Sequence, residues 1–396
     1  MLERVMIIAG ESSGELYGAL LAKALRSRNP GVAIVGIGGT RMESAGVALI
    51  SRIASAFGLV EALRSVRRLR ASFRAVTSAL KSFSPQVVVL IDYPDFNMRV
   101  AREARKKGAR VLYYVSPQVW AWRSGRVKTL GRLVDMMAVI LPFEEEIYRR
   151  EHIPCEFVGH PAMDEITEIL EASGFDADDV GTQPLRSAMR SDLGLEPGRP
   201  VMTLMPGSRS HEIERHLPVF REVASSLLRK YPHYQIVVPV APNLGKSLPG
   251  ELSGLKGCIL LDGKSVKALL ASDVALVASG TSTLQCALLK VPMVVVYKLS
   301  PLSYLIGRLL VKVEHFSLVN VLLDRSARST ARLRVKELLQ REVTSEAVIS
   351  EIVRLIEDQR YRADIITHLD MVRELFLHKS ASLQVADMVE AQMGTI

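Results

Sequence analysis

Two acids in one short loop are the first residues of this chain that could move a proton. Ile91-Asp92-Tyr93-Pro94-Asp95-Phe96-Asn97 directly follows the apolar run Val87–Ile91. A carboxylate at the end of such a strand stands where α/β folds hold substrate, and can act there as a general base. Asp95 suits capping of the next helix, which leaves Asp92 as the better base. A second junction, Gly10-Glu11-Ser12-Ser13-Gly14-Glu15, also joins a β-rich run to a helical pattern. Its small residues let backbone N–H groups approach a ligand at a positive helix end. Gly10, Gly14 and Gly18 are spaced by four, so this is not a dinucleotide fingerprint. A plain capped turn would have the same composition. Glu11 would repel phosphate and fits a sugar hydroxyl better.

Both tryptophans of the chain fall in Ser116-Pro117-Gln118-Val119-Trp120-Ala121-Trp122-Arg123. Paired aromatics after a strand are often core. With Ser116 and Arg123 beside them, they also suit a loop facing a sugar or an acyl chain. Two more strand–loop–helix junctions lie in the second half. In Met205-Pro206-Gly207-Ser208-Arg209-Ser210-His211-Glu212, Gly207 and Ser208 can present N–H groups and Arg209 can pair with a diphosphate. In Ser279-Gly280-Thr281-Ser282-Thr283-Leu284-Gln285, small and hydroxyl residues precede a helix, as in a phosphate cradle without a Walker lysine. Each loop alone reads equally as an ordinary turn. Three such junctions together favour a nucleotide-sugar transferase.

These loops need strands and helices to position them. Apolar β-rich runs are predicted at 5–9, 32–37, 87–91, 111–115, 136–141, 201–205, 235–239, 274–278 and 293–297. They are continuous rather than alternating, as for parallel strands covered on both faces. Helical patterns between them include 16–26, 98–107, 212–228, 266–271 and 283–289. The stretch 172–200, rich in Gly, Asp, Ser and Pro, reads as a linker, and 345–393 reads as helical throughout. The expected fold class is α/β, with two Rossmann-like doubly wound domains facing a central crevice. Expected domains are 1–168, 190–345 and a helical tail, 346–396, returning to the first.

A chain of 396 residues with 48% hydrophobic and 23% charged residues is globular, not disordered. Cys155, Cys258 and Cys286 form no metal-spaced pair and argue against a disulfide framework. With no secretory pattern at the start and no apolar run long enough to span a bilayer, a cytoplasmic protein is expected. Nearly all of the net charge of +9 falls before residue 166. Residues 57–83 place apolar side chains at helical spacing among Arg64, Arg67, Arg68, Arg70 and Arg74. That pattern fits an anionic membrane surface as well as it fits a half-buried helix. Residues 302–313 are a second candidate contact. A basic RNA-binding module would explain the charge but not the junctions, so no nucleic-acid partner is expected.

The ordered segments GESSGE, IDYPDFN, YVSPQVWAWR, LPFEEEIY, FVGHP, MPGSRSHEIERH, ASGTSTLQCALLKVPMVVVY, FSLVN and VKELLQ resemble the lipid-A-disaccharide synthase family from about residue 5 to residue 340. The resemblance implies a GT-B fold that binds its donor mainly through the C-terminal domain. It also implies transfer of diacylglucosamine from UDP-2,3-diacylglucosamine to the 6-hydroxyl of 2,3-diacylglucosamine 1-phosphate (lipid X), with inversion. On that resemblance Asp92 is the base, with Glu11 a second catalytic candidate. Ser208, Arg209, Glu212, the 279–283 loop, Gln285, Asn320 and Gln340 serve the UDP donor. Ser13, Gly14, Asp95, Asn97, Ser116, Trp120, Trp122 and Arg123 face the acceptor. No metal or other cofactor is implied, the location is the cytoplasmic face of the inner membrane, and a homodimer is left open. Four departures stand out: Glu15 where the family usually has Asp, Gln285 where Glu is expected, Val319 for a customary Pro, and a longer stretch at 324–333. The alternatives are another GT-B enzyme, a UDP-sugar 2-epimerase or the peptidoglycan glucosaminyltransferase.

Overall fold

The computed structural model describes residues 2–52, 59–117, 119–122, 125–240, 255–299, 315–325 and 334–393. The chain divides into two compact units, Met1–Glu165 with His378–Ile396, and Ile166–Leu377. Each holds one parallel sheet wound with helices.

In the first unit, β1 (Arg4–Ala9), β2 (Ala33–Gly38), β3 (Ala48–Arg52), β4 (Val87–Ile91), β5 (Arg110–Tyr114), β6 (Met136–Val139) and β7 (Cys155–Phe157) lie in the order β3-β2-β1-β4-β5-β6-β7. All pairs are parallel. In the second, β8 (Val201–Met205), β9 (Gln235–Val240), β10 (Ile259–Asp262), β11 (Val274–Ala278), β12 (Met293–Tyr297) and β13 (Glu337–Leu339) lie in the order β10-β9-β8-β11-β12-β13, again parallel. The chain winds outward on one side of β1 and then on the other side from β4; β8 and β11 repeat the scheme. Where winding reverses, helices leave to opposite faces and open a gap at the carboxyl ends of the strands.

The nine strands expected from apolar runs are all present within a residue or two. The four not expected, β3, β7, β10 and β13, are the edges of the two sheets. Covered on one side only, they carry mixed patterns such as exposed Ile259 and Leu260 in β10. The supposed linker at 172–200 contains a helix, Gln183–Asp192, whose Leu185 and Met189 are buried. The helical tail consists of three helices, Ser345–Glu357 and Gln359–Glu374 in the second unit and Ala381–Ala391 in the first. Asp164 caps the last of these by accepting the Ala381 and Ser382 N–H groups at 3.2 and 2.7 Å.

The basic stretch forms the helix Leu59–Ser82. Leu69, Phe73, Val76 and Leu80 pack into the core of the first unit, while Arg67, Arg70 and Arg74 are exposed. This part of the apolar stripe is therefore a core face, not a surface for lipid. Residues 53–58 and 302–313 lie outside the described residues.

Arg190 is 2% exposed and ties its helix to the sheet. It donates to the carbonyls of Ala271 and Pro197 at 3.0 Å and to Asp273 at 2.7 Å, and Asp273 also accepts the Val201 N–H. Removing one partner of a buried pair leaves the other charge poorly compensated, at about 3–5 kcal/mol. Arg190→Ala should lower the unfolding free energy of the second unit on that scale in urea titrations. A loss below about 1 kcal/mol, the scale of a surface pair, would show the pair to be dispensable.

Candidate functional site

The motif loops emerge where the strand orders reverse. In the first unit β1 and β4 pair in register, Ala9 opposite Ile91, so the Gly10 and Asp92 loops leave side by side. Tyr93 packs directly on Gly10: a Cβ there would lie 2.2 Å from the ring. Asp92 and Tyr93 both take left-handed backbone angles, φ 47° and 49°. For non-glycine residues this is a strained conformation, of the kind held in place by surrounding contacts. Two donors hold it here. The Tyr113 hydroxyl and the Asn97 Nδ2 both donate to the Asp92 carbonyl, at 2.6 and 2.7 Å, and Asn97 also reaches the Ile91 carbonyl at 3.1 Å. Asn97 is fully buried, so it acts beneath the loop rather than on a ligand. Asp92 itself is half-buried. It lies within electrostatic reach of the buried Tyr17 phenol, whose pKa is pushed up by burial first and then by Glu165 and Asp92.

Glu11 is exposed at the N-cap position of the helix Ser12–Arg28, and Ser13 is half-buried. Gly14 is buried against Ile91 and Ala9. Burial raises the Tyr93 pKa, and Glu11 and Asp95 add to the rise, which puts this phenol near both acids. Asp95 does not take the cap position assigned from sequence. Tyr93 occupies it, because Pro94 starts the helix two residues earlier. Exposed Asp95 instead sits in the first turn, where its charge favours the helix dipole. Glu15 accepts the Arg41 N–H at 2.8 Å at the neighbouring junction.

The tryptophan loop follows β5, the next strand over, after another left-handed residue, Val115 at φ 66°. Ser116 is 5% exposed; its hydroxyl hydrogen-bonds the Pro117 carbonyl at 2.8 Å and the Tyr148 phenol at 2.6 Å. It is thus committed inside the protein rather than presented to an acceptor. Trp120 is half-buried, with its indole N–H donating to Glu144 at 3.2 Å. Arg123 and Gln118 lie outside the described residues, as does the side chain of Trp122.

The second unit repeats the arrangement. β8 and β11 pair with Met205 opposite Val277, so the 206–209 and 279–282 loops are neighbours. Gly207, at φ 135°, has no room for a Cβ, which would meet Glu212 at 2.8 Å. Glu212 accepts the Ser208 N–H at 3.2 Å and pairs with Arg209 at 3.4 Å, so it braces the loop. Ser208 and Arg209 are exposed. His216 is buried, and burial lowers its pKa. Its Nε2 accepts the Lys298 N–H at 3.0 Å, so Nδ1 carries the proton toward the Pro206 carbonyl at 2.8 Å. This ring ties the loop to the end of β12. On the other side, the Ser279 hydroxyl donates to Phe316 at 3.0 Å and Thr283, fully buried, donates to Gly280 at 2.8 Å. Gly280, Thr281 and Ser282 remain outward at the start of the helix Thr281–Leu288, with Gln285 buried one turn on.

The structure puts Asn320 deeper than a direct ligand contact requires. It is 1% exposed, and its amide bonds Val335 in both directions, at 2.9 and 3.1 Å, and Glu337 at 2.7 Å. Gln340, oriented to satisfy both ends of its amide, bonds the Leu299 backbone at 3.1 and 3.3 Å. Sequence reasoning gave no role to Tyr17, Tyr113, Glu144, His160 or His216. Each acts through burial or a long-range contact, and neither leaves a local signal. Among the described residues no three His, Cys, Asp or Glu side chains are grouped to hold a metal, and no helix is long and apolar enough to cross a membrane.

Comparison with known proteins adds to this geometry. The sequence model of the family described as lipid-A-disaccharide synthetase matches residues 5–386. The chain is 38% identical over 396 residues to the lipid-A-disaccharide synthase of Geobacter sulfurreducens, covering 99% of this chain and 97% of that protein. It is 36% identical over 389 residues to that of Coxiella burnetii, covering 97% of each. Among solved structures, a UDP-GlcNAc 2-epimerase from Neisseria meningitidis bound to UDP-GlcNAc aligns with TM-score 0.62 at 13% identity, over 99% of this chain and 100% of that one. The glycotransferase of kitacinnamycin aligns with TM-score 0.62 at 14% identity over 99% of each. At these identities the structures speak for the fold, which is GT-B.

His160 offers a test of the first unit. It is 2% exposed, packs edge-on to Tyr17 at 6.0 Å, and its Nδ1 accepts the Ala162 N–H at 3.1 Å. Burial pushes its pKa down to about 3 from 6.5. The unfolded chain therefore binds the proton first, and stability present above pH 6.5 is lost as pH falls toward 3. Urea unfolding between pH 7 and pH 4 (about the span of that linkage) should show a shallower loss in His160→Gln than in wild type. Equal slopes would mean that His160 takes up its proton without cost in the folded state.

Proposed function

The chain belongs to the lipid-A-disaccharide synthase family and is a glycosyltransferase of the GT-B fold, and from that premise we propose how its residues divide the reaction. The donor is UDP-2,3-diacylglucosamine and the acceptor 2,3-diacylglucosamine 1-phosphate. The acceptor's 6-hydroxyl attacks the anomeric carbon in line, on the face opposite UDP. Its oxygen–carbon bond forms as the carbon–phosphate-oxygen bond breaks. The electron pair leaves with UDP, and the hydroxyl proton passes to Asp92. The product is β-1,6-linked. The observation that carries this reading is the placement of four of the five motif loops beside the two strand-order reversals, β1/β4 and β8/β11.

Asp92 suits the base because its strained turn is held from below by Tyr113 and Asn97. That leaves its carboxylate at the strand end without a flexible approach to be organised on each turnover. Glu11 and Ser13, on the adjacent loop, orient acceptor hydroxyls. Ser208, Arg209, Gly280, Thr281 and Ser282 receive the diphosphate through exposed donors and a helix N-terminus. Glu212 and His216 brace that loop, and Asn320, Gln285 and Gln340 shape the donor pocket from behind. The epimerase and peptidoglycan alternatives are not favoured, since the family match runs nearly the whole chain. Release of UDP only when both diacylated substrates are present tests the reading. UDP release with the donor alone, or none at all, would reject it.

Two substitutions separate the roles. Asp92→Asn should lower turnover about 100-fold or more with UDP affinity nearly intact. Arg209→Ala should cost about 1.5–3 kcal/mol of UDP binding, roughly a 10- to 150-fold loss by calorimetry. Near-normal turnover in the first, or unchanged UDP affinity in the second, would remove that residue from its role.

Both proposed substrates carry acyl chains, so the enzyme works at an anionic bilayer surface, the cytoplasmic face of the inner membrane. Exposed Arg67, Arg70 and Arg74 on the helix Leu59–Ser82 support this. Replacing Arg64, Arg67, Arg68 and Arg70 by Ser should weaken co-sedimentation with anionic vesicles and leave activity on detergent-solubilised substrate unchanged. Binding by the wild type should fall with rising salt but persist, since salt screens charge and not apolar burial. Undiminished co-sedimentation of the variant would move the membrane contact elsewhere.

A further inference from the structure

Three acids stand together at Glu144, Glu145 and Glu146, at the start of the helix Glu144–Arg149 that follows β6. The second and third pair with Arg149 and Arg150. Among the described residues the first faces no cation. Glu144 is 1% exposed and lies against the tryptophan loop. Its Oε1 accepts the Trp120 indole N–H at 3.2 Å, and its Oε2 accepts the Leu141 backbone N–H at 3.1 Å. Phe143 packs edge-on against the Trp120 ring at 5.2 Å. The Ser116 hydroxyl and the Ile140 backbone N–H also face this carboxyl and favour its ionised form, and Ser116 in turn meets the Tyr148 phenol. The groups facing it from β5, β6 and its own helix are thus an indole, a hydroxyl, a phenol and two backbone N–H groups. Among the described residues, none of them is charged.

A buried carboxyl without a cation destabilises a fold, and an apolar residue of the same size would pack there at lower cost. Its hydrogen bonds hold one thing in particular, the indole of Trp120. We propose that Glu144 is a positioning residue for sugar transfer: it holds Trp120 from within and so sets the tryptophan loop against the acceptor, and its protonation state sets how firmly the loop is held. This rests on the reading of that loop as acceptor-facing. When ionised, the carboxylate accepts both N–H bonds with charge assistance; when protonated, one oxygen becomes a donor and the grip on the indole weakens. Burial raises its pKa to about 8, against the pull of the Leu141, Trp120, Ile140 and Ser116 hydrogen bonds. The loop should therefore tighten as pH rises through that value.

Trp120 and Trp122 are the protein's two tryptophans, so its tryptophan emission, excited selectively over tyrosine, reports this loop alone. In full-length protein carrying Trp122→Phe, emission without substrate should titrate with a midpoint near pH 8, and Glu144→Gln should abolish that transition. With substrates, wild-type KM for the diacylated acceptor should fall several-fold between pH 7 and pH 9 (about one pH unit on each side of the midpoint). Glu144→Gln should flatten that profile and leave UDP affinity unchanged. Trp120→Phe keeps the ring, loses the N–H and leaves Glu144 in place, so it provides the same test should Glu144→Gln fold poorly. It should flatten the profile too, and the double variant should be no worse than either single one. A fluorescence transition that survives Glu144→Gln, or an acceptor KM profile unchanged in both variants, would overturn the proposal. A merely structural carboxyl would lower the melting temperature and leave both pH profiles in place. Failure of the wild type to transfer sugar to a diacylated acceptor would instead reject the proposed function, and the emission arm would still be readable.

Discussion

Parallel pairing between β1 and β4, and between β8 and β11, is the constraint on which the rest depends. A parallel pair needs a crossover, and a right-handed crossover sends its helix to one face of the sheet. Two neighbouring strands whose crossovers run outward in opposite directions leave no helix above their carboxyl ends. In-register pairing of Ala9 with Ile91, and of Val277 with Met205, brings to those gaps loops that are some 70 to 80 residues apart in the chain. The small residues of the loops follow from this closeness. Gly10 lies under Tyr93 and Gly207 against Glu212, and a single methyl group at either would collide.

The left-handed backbone at Asp92, Tyr93 and Val115 shows the cost of aiming side chains out of a buried sheet. Such residues are strained by about 1–3 kcal/mol each, a large share of the net stability of an ordinary domain. Tyr113 and Asn97 offset part of it at the Asp92 carbonyl, each neutral hydrogen bond being worth about 0.5–1.5 kcal/mol. The polar groups beneath the loops are therefore as necessary as the residues above them. His216 and Glu212 do the same for the 206–209 loop, and Glu144 for the tryptophan loop.

Many residues first considered as ligand contacts turn out to be such supports. Asn97, Ser116, Thr283 and Asn320 have the donors and acceptors a sugar or phosphate would want. All four are buried and hydrogen-bond the protein's own backbone or a neighbouring phenol or carboxylate, with the Asn97 Oδ1 alone of these groups left without a partner among the described residues. The exposed candidates among the described residues are Glu11 and Asp95 in one unit and Ser208, Arg209, Gly280 and Thr281 in the other. A polar residue in a loop motif says that hydrogen bonding is needed there; only burial says whether the partner is a ligand or the protein.

The sequence by itself determined the α/β class, the nine inner strands and the junctions where chemistry gathers, because a strand covered on both faces must be a continuous apolar run and a strand-to-helix turn near a ligand must be small or polar. Family membership was also legible there, in the order of the motifs. Edge strands escaped because half-exposed segments carry no distinctive period, and the helix Gln183–Asp192 hid in a stretch rich in turn residues. Tertiary structure alone decided that the strand orders reverse at β1/β4 and β8/β11, which acid of three at Glu144 is buried, and that Tyr93 rather than Asp95 occupies the helix cap. Those outcomes rest on contacts between segments far apart in the chain and on desolvation, which depend on what surrounds a residue in space and leave no trace in the identities of its neighbours in sequence.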